Sequence, residues 1–255
     1  MIVHRIEAAA FGTNCYLVAR AAGEECVIVD PGIGVADRVA ALLGSEGLRP
    51  VAVLLTHGHL DHVYDVPDLS ERFAPSSAPD ATLPSYIHTS DRYRLANPLG
   101  DLDASFLAMM EAQFGQRAQW TQPGDIVEID VGTTGAGSGQ GGTDSVSLSV
   151  AGLHLRVHHA PGHTEGSVLF ALADVPEGLS VERTLESTVL SGDVLFAGSI
   201  GRCDLPGGDA SAMTRSLRDV VLPLPDATLV LPGHGPSTSM AVERTNNPFL
   251  RSLLV

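Results

Sequence analysis

Short apolar runs rich in β-branched residues alternate along this chain with stretches whose apolar positions recur at helical spacing. CVIVD (26–30) and VAVLLT (51–56) read as buried strands. Between them, VADRVAALLGSEG (35–47) has the spacing of an amphipathic helix and ends at a glycine stop. Further strands are expected at YIH (86–88), DIVEID (125–130), LHLRVHHA (153–160), SVLFAL (167–172), STVLSGD (187–193) and ATLVLPG (227–233). Helices are expected at DLDASFLAMMEAQF (101–114), at 209–221 with Asp209 as N-cap, and from Met240 onward. Three stretches read as loop insertions: 74–84, the Gly/Ser-rich 132–145, and 174–187. None is long enough to divide the chain, so residues 1–255 read as one domain in which helices alternate with the strands of mixed sheets.

Composition narrows what such a domain can do. With 255 residues and 44% hydrophobic content it can bury a sizeable core. A formal charge of −15 repels phosphate backbones, so nucleic acid is not an expected partner. No run approaches the ~18 apolar residues of a membrane span, and the N-terminus, with Glu7 and no apolar core after a basic start, lacks a signal-peptide pattern. Cys15, Cys26 and Cys203 are odd in number and scattered, which fits a reducing compartment. The expectation is a cytoplasmic protein acting on a small molecule, away from membranes.

The chemistry is concentrated where strands end. Thr56-His57-Gly58-His59-Leu60-Asp61-His62 follows the run VAVLL directly. Crowded imidazoles repel when protonated and gain little from packing when neutral, so this stretch asks for a cation. Residues two apart in extended chain share a side, which lets His57 and His59 point into one cavity. Three other strand ends each deliver one donor after a tight turn: His163 in APGHTEGS, Asp193 in SGDVLF and His234 in LPGHG. Four strand ends meeting at one edge would pool five histidines and two aspartates.

That donor set is too large for one tetrahedral zinc, whose catalytic form usually takes three protein ligands. It suits two divalent ions: His57, His59 and His163 for the first, Asp61, His62 and His234 for the second, with Asp193 as the bridging carboxylate. Zinc is the expected metal, with iron or manganese as alternatives. A water between the ions would lose its proton near neutral pH. Asp61 is expected to act as a ligand, with any general-base role secondary.

These motifs, Thr-His-X-His-X-Asp-His, Gly-His-Thr-X-Gly-Ser, Gly-Asp-X-Leu-Phe and Pro-Gly-His-Gly, resemble the metallo-β-lactamase-fold hydrolase superfamily, and most nearly its glyoxalase II-like branch. NCYLV (14–18), VDPG (29–32) and GRCDLPGGD (201–209) extend the resemblance over nearly the whole chain. It implies an α+β fold, an αββα sandwich of two mixed β-sheets flanked by helices with the metals at one edge. It also carries the family's ligand roles onto His57, His59, Asp61, His62, His163, Asp193 and His234. Glyoxalase II enzymes continue past their last histidine into a helical region that contacts glutathione. Here the chain from Gly233 reads GHGPSTSMAVERTNNPFLRSLLV, so the hydrolytic core is better supported than glutathione as the carrier thiol.

The expected activity is therefore metal-dependent hydrolysis of a thioester or related acyl compound by a hydroxide bridging two ions. The alternatives are a mononuclear-iron persulfide dioxygenase, a lactone or β-lactam hydrolase, and, last, a non-catalytic metal scaffold. Asp30 is either a turn carboxylate or a group that orients a ligand imidazole. His4, His88, His154, His158 and His159 read as structural, Arg202 and Asp204 as tying down their own loop, and Met109 and Met110 as core or groove lining.

Overall fold

The computed structural model describes residues 1–75, 81–100, 108, 112, 120–131, 145–178 and 184–254. Among the described residues, twelve strands form two six-stranded sheets. The first runs β1 (Ile2–Glu7), β2 (Asn14–Ala19), β3 (Glu25–Val29), β4 (Arg49–Leu54), β5 (Ser85–His88), β6 (Ile126–Ile129). Its first three strands are antiparallel, while β3 to β6 are parallel. The second runs β12 (Thr238–Ser239), β11 (Thr228–Pro232), β10 (Ser187–Gly192), β9 (Val168–Leu172), β8 (Leu153–His159), β7 (Ser145–Val150), antiparallel except for the β10–β11 pair.

Strand periodicity builds the layers. Along β2, β3 and β4 alternate residues point to opposite faces. Tyr16, Val18, Val27, Val29, Ala52 and Leu54 pack between the sheets against Leu155, Val157, Phe170, Leu190 and Leu229. Their neighbours Leu17, Ile28 and Val53 pack outward with Val39 and Leu43 of helix α1 (Ala36–Glu46) and with Val63 and Leu69 of α2 (Leu60–Val63) and α3 (Val66–Arg72). Beyond the second sheet, Leu169, Val189 and Val230 meet α4 (Ala210–Ser216), α5 (Met240–Asn246) and α6 (Pro248–Arg251) through Met213, Met240 and Leu250. The result is the αββα order: two mixed sheets face to face with helices outside.

Most expected elements stand where the pattern put them. Helix α1 ends at Gly47 in the left-handed conformation, and Asp209 caps α4 by accepting bonds from the amides of Ser211 and Ala212. Two loop bounds are corrected, because Ser145 opens β7 and Ser187 opens β10. The strands β1, β2, β7 and β12 and the short helices α2, α3 and Thr89–Ala96 (a 3₁₀ helix) are additional to the expected elements. The helix expected at 101–114, with Met109 and Met110, lies outside the described residues apart from Ala108 and Ala112, which are helical. Most of the Gly/Ser-rich stretch, 132–144, lies outside them too, as do 76–80 and 179–183 of the other insertions. No described helix is long and apolar enough to cross a membrane.

Strand direction then positions the site. Parallel β3 and β4 end on the same edge of the first sheet, and β10 and β11 end together on the second. Because β9 runs against β10 and β2 against β3, the turns that precede β9 and β2 lie at that edge as well.

Candidate metal centre

All seven predicted donors converge there. Beyond β4 the chain runs through Thr56, His57, Gly58 and His59 into the single turn of α2, which carries Asp61 and His62. His163 lies in the β8–β9 turn, and Asp193 and His234 follow β10 and β11. His57 Nε2 lies 3.1 Å from His59 Nδ1, which is 2.8 Å from His163 Nε2. His62 Nε2 is 3.3 Å from His234 Nε2 and 3.6 Å from Asp61 Oδ2. Asp193 stands between these sets, with Oδ1 3.4 Å from His62 Nε2 and Oδ2 3.5 Å from His163 Nε2 and 3.4 Å from His234 Nε2.

The donors are held from behind. Asp30 accepts from Nδ1 of His62 at 3.0 Å, the Arg202 carbonyl from Nδ1 of His163 at 2.8 Å, and the Phe11 carbonyl from Nδ1 of His234 at 3.1 Å. Oxygens that only accept require a proton on each Nδ1, which leaves each Nε2 lone pair facing the centre. Thr56 Oγ1 is 3.1 Å from His57 Nδ1, and the Thr13 hydroxyl donates to Asp61 Oδ2 at 3.0 Å.

This arrangement fits cations. Donors placed tetrahedrally about 2.1 Å from one ion stand about 3.4 Å apart, close to the spacings observed. The residues fall into three groups that could each hold an ion: His57, His59 and His163; His57, His62 and Asp193; Asp61, His62 and His234. Asp193 Oδ1 is buried and accepts no hydrogen bond of good geometry, its polar neighbour His62 Nε2 standing 3.4 Å away, which leaves it open to a cation between the two sets.

Without cations the site balances its own charge. Burial, and then the other imidazoles, hold His57 well below the usual histidine range and His59 at about 3. Burial pushes the Asp61 and Asp193 carboxyls up, but His62 and His234 outweigh it, leaving Asp61 at about 2 and Asp193 well below the carboxylate range. Burial pulls His62 and His234 down, yet the carboxylates lift His62 well above its usual range and His234 to about 9. An arriving cation takes the place of these protons.

The turn bearing His234 is fixed by Asn14, whose side-chain amide donates to the carbonyls of Pro232 and Gly235 at 2.9 Å, and by the Tyr16 hydroxyl, 2.8 Å from the Pro232 carbonyl. Within it, a Cβ on Gly233 would lie 2.2 Å from Asp193 Oδ1 and 2.8 Å from His62 Cε1, so only glycine passes. Sequence reasoning missed Thr13, Asn14 and Thr56 as supports. Asn14 lies within NCYLV and Thr56 within the histidine motif, whereas Thr13 carries no local signal.

Of the residues read as structural, His159 stacks on His88 with centroids 4.0 Å apart, and its Nε2 is 2.8 Å from the Glu165 carbonyl. His154 pairs with Ser149. Arg202 grips Asp204 through two bonds of 2.7 and 2.8 Å. Over the donors opens a cavity of about 680 Å³, walled by Phe11, Pro98, Phe196, Ile200, Leu205 and Pro206, with Arg202 also contributing.

Two mixed sheets between helices, with this His/Asp cluster at one edge, define the metallo-hydrolase class. The Metallo-beta-lactamase superfamily profile matches residues 8–234, and the chain belongs to that superfamily. Over 253 residues it is 35% identical to an uncharacterized protein of Mycobacterium tuberculosis, covering 99% of each chain. It is 32% identical over 227 residues to the probable metallo-hydrolase YqgX of Bacillus subtilis, covering 89% of this chain and 88% of that one. To the hydroxyacylglutathione hydrolase GloC of Haemophilus influenzae it is 31% identical over 257 residues, covering 99% of each. Among solved structures it resembles the BLEG-1 B3 metallo-beta-lactamase (32% identity, TM-score 0.70, 98% of this chain and 99% of that one). It also resembles TTHA1623 in a di-iron-bound form (33% identity, TM-score 0.67, 97% and 100%).

Proposed function

We propose that this protein hydrolyses a thioester, in the manner of glyoxalase II, with two divalent cations held by its seven donors. The observation that carries the reading is Asp193, a buried carboxylate with one oxygen near His62 and the other near His163 and His234, so that it reaches donors of both sets. His57, His59 and His163 would hold one ion, Asp61, His62 and His234 the other, and Asp193 both. Zinc is the first choice, and likeness to a protein solved in a di-iron-bound form keeps iron as the alternative. When bound, such a pair polarises an acyl carbonyl and brings a water toward deprotonation near neutral pH.

The chain's own residues do the rest. Asp30, Arg202 and Phe11 keep the Nδ1 protons of His62, His163 and His234 pointing away from the centre. Asp61 is a ligand first, its Oδ2 already committed to Thr13, with base work secondary. No separate acid is required, because a thiolate leaves without a proton. The apolar cavity wall takes the body of the substrate and excludes water around the reacting carbonyl. Three free cysteines fit action in a reducing cytoplasm.

The test is metal content of the unsupplemented protein, followed by turnover of thioesters that differ in carrier thiol. Two ions per chain, hydrolysis lost on chelation, and loss of both metal and activity in His59→Ala and Asp193→Ala are expected. One iron per chain with oxygen uptake on a persulfide, or turnover confined to β-lactams or lactones, overturns the reading.

A further inference from the structure

Asp91 lies outside every donor set, on the 3₁₀ helix that follows β5, and is fully buried. Its Oδ2 accepts from the Gly58 amide at 2.8 Å and from the Thr164 hydroxyl at 2.8 Å, and its Oδ1 accepts from the Gly166 amide at 2.8 Å. Arg94 Nε stands 3.4 Å from Oδ1. Gly58 separates His57 from His59, and Thr164 follows His163. One carboxylate thus joins the loop of the first sheet that carries two donors to the turn of the second sheet that carries the third.

The fit is tight enough to dictate its neighbours. A Cβ on Gly166 would lie 2.6 Å from the Asp91 amide nitrogen, and one on Gly58 would lie 2.8 Å from Arg94 Cβ. By contrast Asp61, His62 and His234 are held by Thr13, Asp30 and Phe11, none of which bonds to Asp91. A second link between the same loops, Val168 N to the Thr56 carbonyl at 2.9 Å, lies closer to the core. Removing the carboxylate therefore loosens the donors without parting the sheets.

We infer that Asp91 is a positioning residue for the His57, His59 and His163 set, fixing the separation of its three imidazoles from behind and across the sheets. The inference rests on the metal-dependent reading of the site. Asp91 touches neither ion nor substrate; it sets metal affinity and coordination geometry at one of the two positions.

Metal-depleted full-length protein, titrated with Co²⁺ and with Zn²⁺ against a competing chelator, tests this. Asp91→Asn keeps the shape but turns an amide N–H₂ toward a donor, and should weaken one of the two ions about ten- to a hundredfold. The cobalt absorption bands of that ion should shift, while the other ion binds as in the wild type. Thr164→Val removes one of the three bonds and should change the same ion in the same direction by less; it decides the matter if Asp91→Asn does not fold. Wild-type affinity and spectra for both ions in the folded variant, or equal weakening of both, overturn the inference and leave the proposed activity standing. A wild-type chain that takes up no metal overturns both.

Discussion

Asp30 Oδ2 lies 3.0 Å from His62 Nδ1, and the same oxygen accepts the Thr56 hydroxyl at 2.7 Å. The carboxylate reaches them because the Asp30 backbone takes a left-handed φ of 49° as the chain leaves β3. It thereby locks the imidazole proposed to serve the second ion. Asp30→Ala should lower metal affinity at that position about ten- to a hundredfold, since the ring loses its orienting acceptor. It should also destabilise the fold by about 1–3 kcal/mol, because the buried Thr56 amide and hydroxyl lose theirs. Chelator competition and urea unfolding check the two effects separately.

Gly233 passes between Asp193 and His62 with no room for a methyl group. Gly233→Ala must displace the carboxylate or the turn that carries His234, and a shift near 1 Å at such a centre lowers kcat by about a hundredfold. Metal analysis and kcat on protein with unchanged far-ultraviolet dichroism check this. Gly44, on helix α1 with open space where a Cβ would go, is the control. Gly44→Ala should stabilise by about 0.5–1 kcal/mol and leave turnover alone.

Phe196 sets its ring edge-on to His234, centroids 5.9 Å apart, and forms part of the cavity wall. Its backbone is paired with Ser199, so truncating the side chain leaves the loop in place. Phe196→Ala should reduce kcat/KM for thioesters with bulky apolar groups by ten- to a hundredfold, corresponding to about 1.5–3 kcal/mol of lost burial. Metal content should not change. Steady-state kinetics over a series of acyl lengths would show the loss growing with size.

His88 is buried against His159, and its Nδ1 accepts the Ser90 amide at 3.1 Å. Burial, then the neighbouring imidazole, hold it at about 4, an effect that Asp130 opposes. A histidine in an unfolded chain titrates near 6.5, so between these values the unfolded chain binds the proton more readily. The stability tied to neutral His88 is complete above about pH 6.5 and is lost as pH falls toward 4, amounting to roughly 3 kcal/mol. Urea unfolding of metal-depleted protein should show this acid loss. His88→Asn, which keeps an acceptor for Ser90 and cannot titrate, should remove that share of it, leaving the acid loss of the same sign that belongs to His57 and His59.

Strands β3, β4, β9, β10 and β11 were readable because apolar runs bounded by glycine-containing turns such as Pro-Gly and Ser-Gly have few other solutions. The sheet-edge strand β1 was not, since its residues His4, Arg5 and Glu7 mix charge into a half-exposed ladder. Strand β2 hides for the opposite reason: it is buried on both faces, yet begins with Asn14, whose side chain serves a turn more than two hundred residues away. The seven candidate donors that the fold brings together could be picked out because each is of a type that cations demand and each sits just past an apolar run. Asp91 was not, because an aspartate in TSDRYR has no local mark of what it binds.

The sequence by itself determined which side chains can carry the chemistry and that they lie at strand ends, because periodicity and donor type are local properties. Only the tertiary structure decided how those ends face each other. Strand direction brings β3, β4, β10 and β11 to a common edge, and three-dimensional proximity assigns Asp30 to His62, Thr13 to Asp61 and Asp91 to the loops of His57 and His163. Those pairings depend on distances across two packed sheets, which no spacing along the chain encodes.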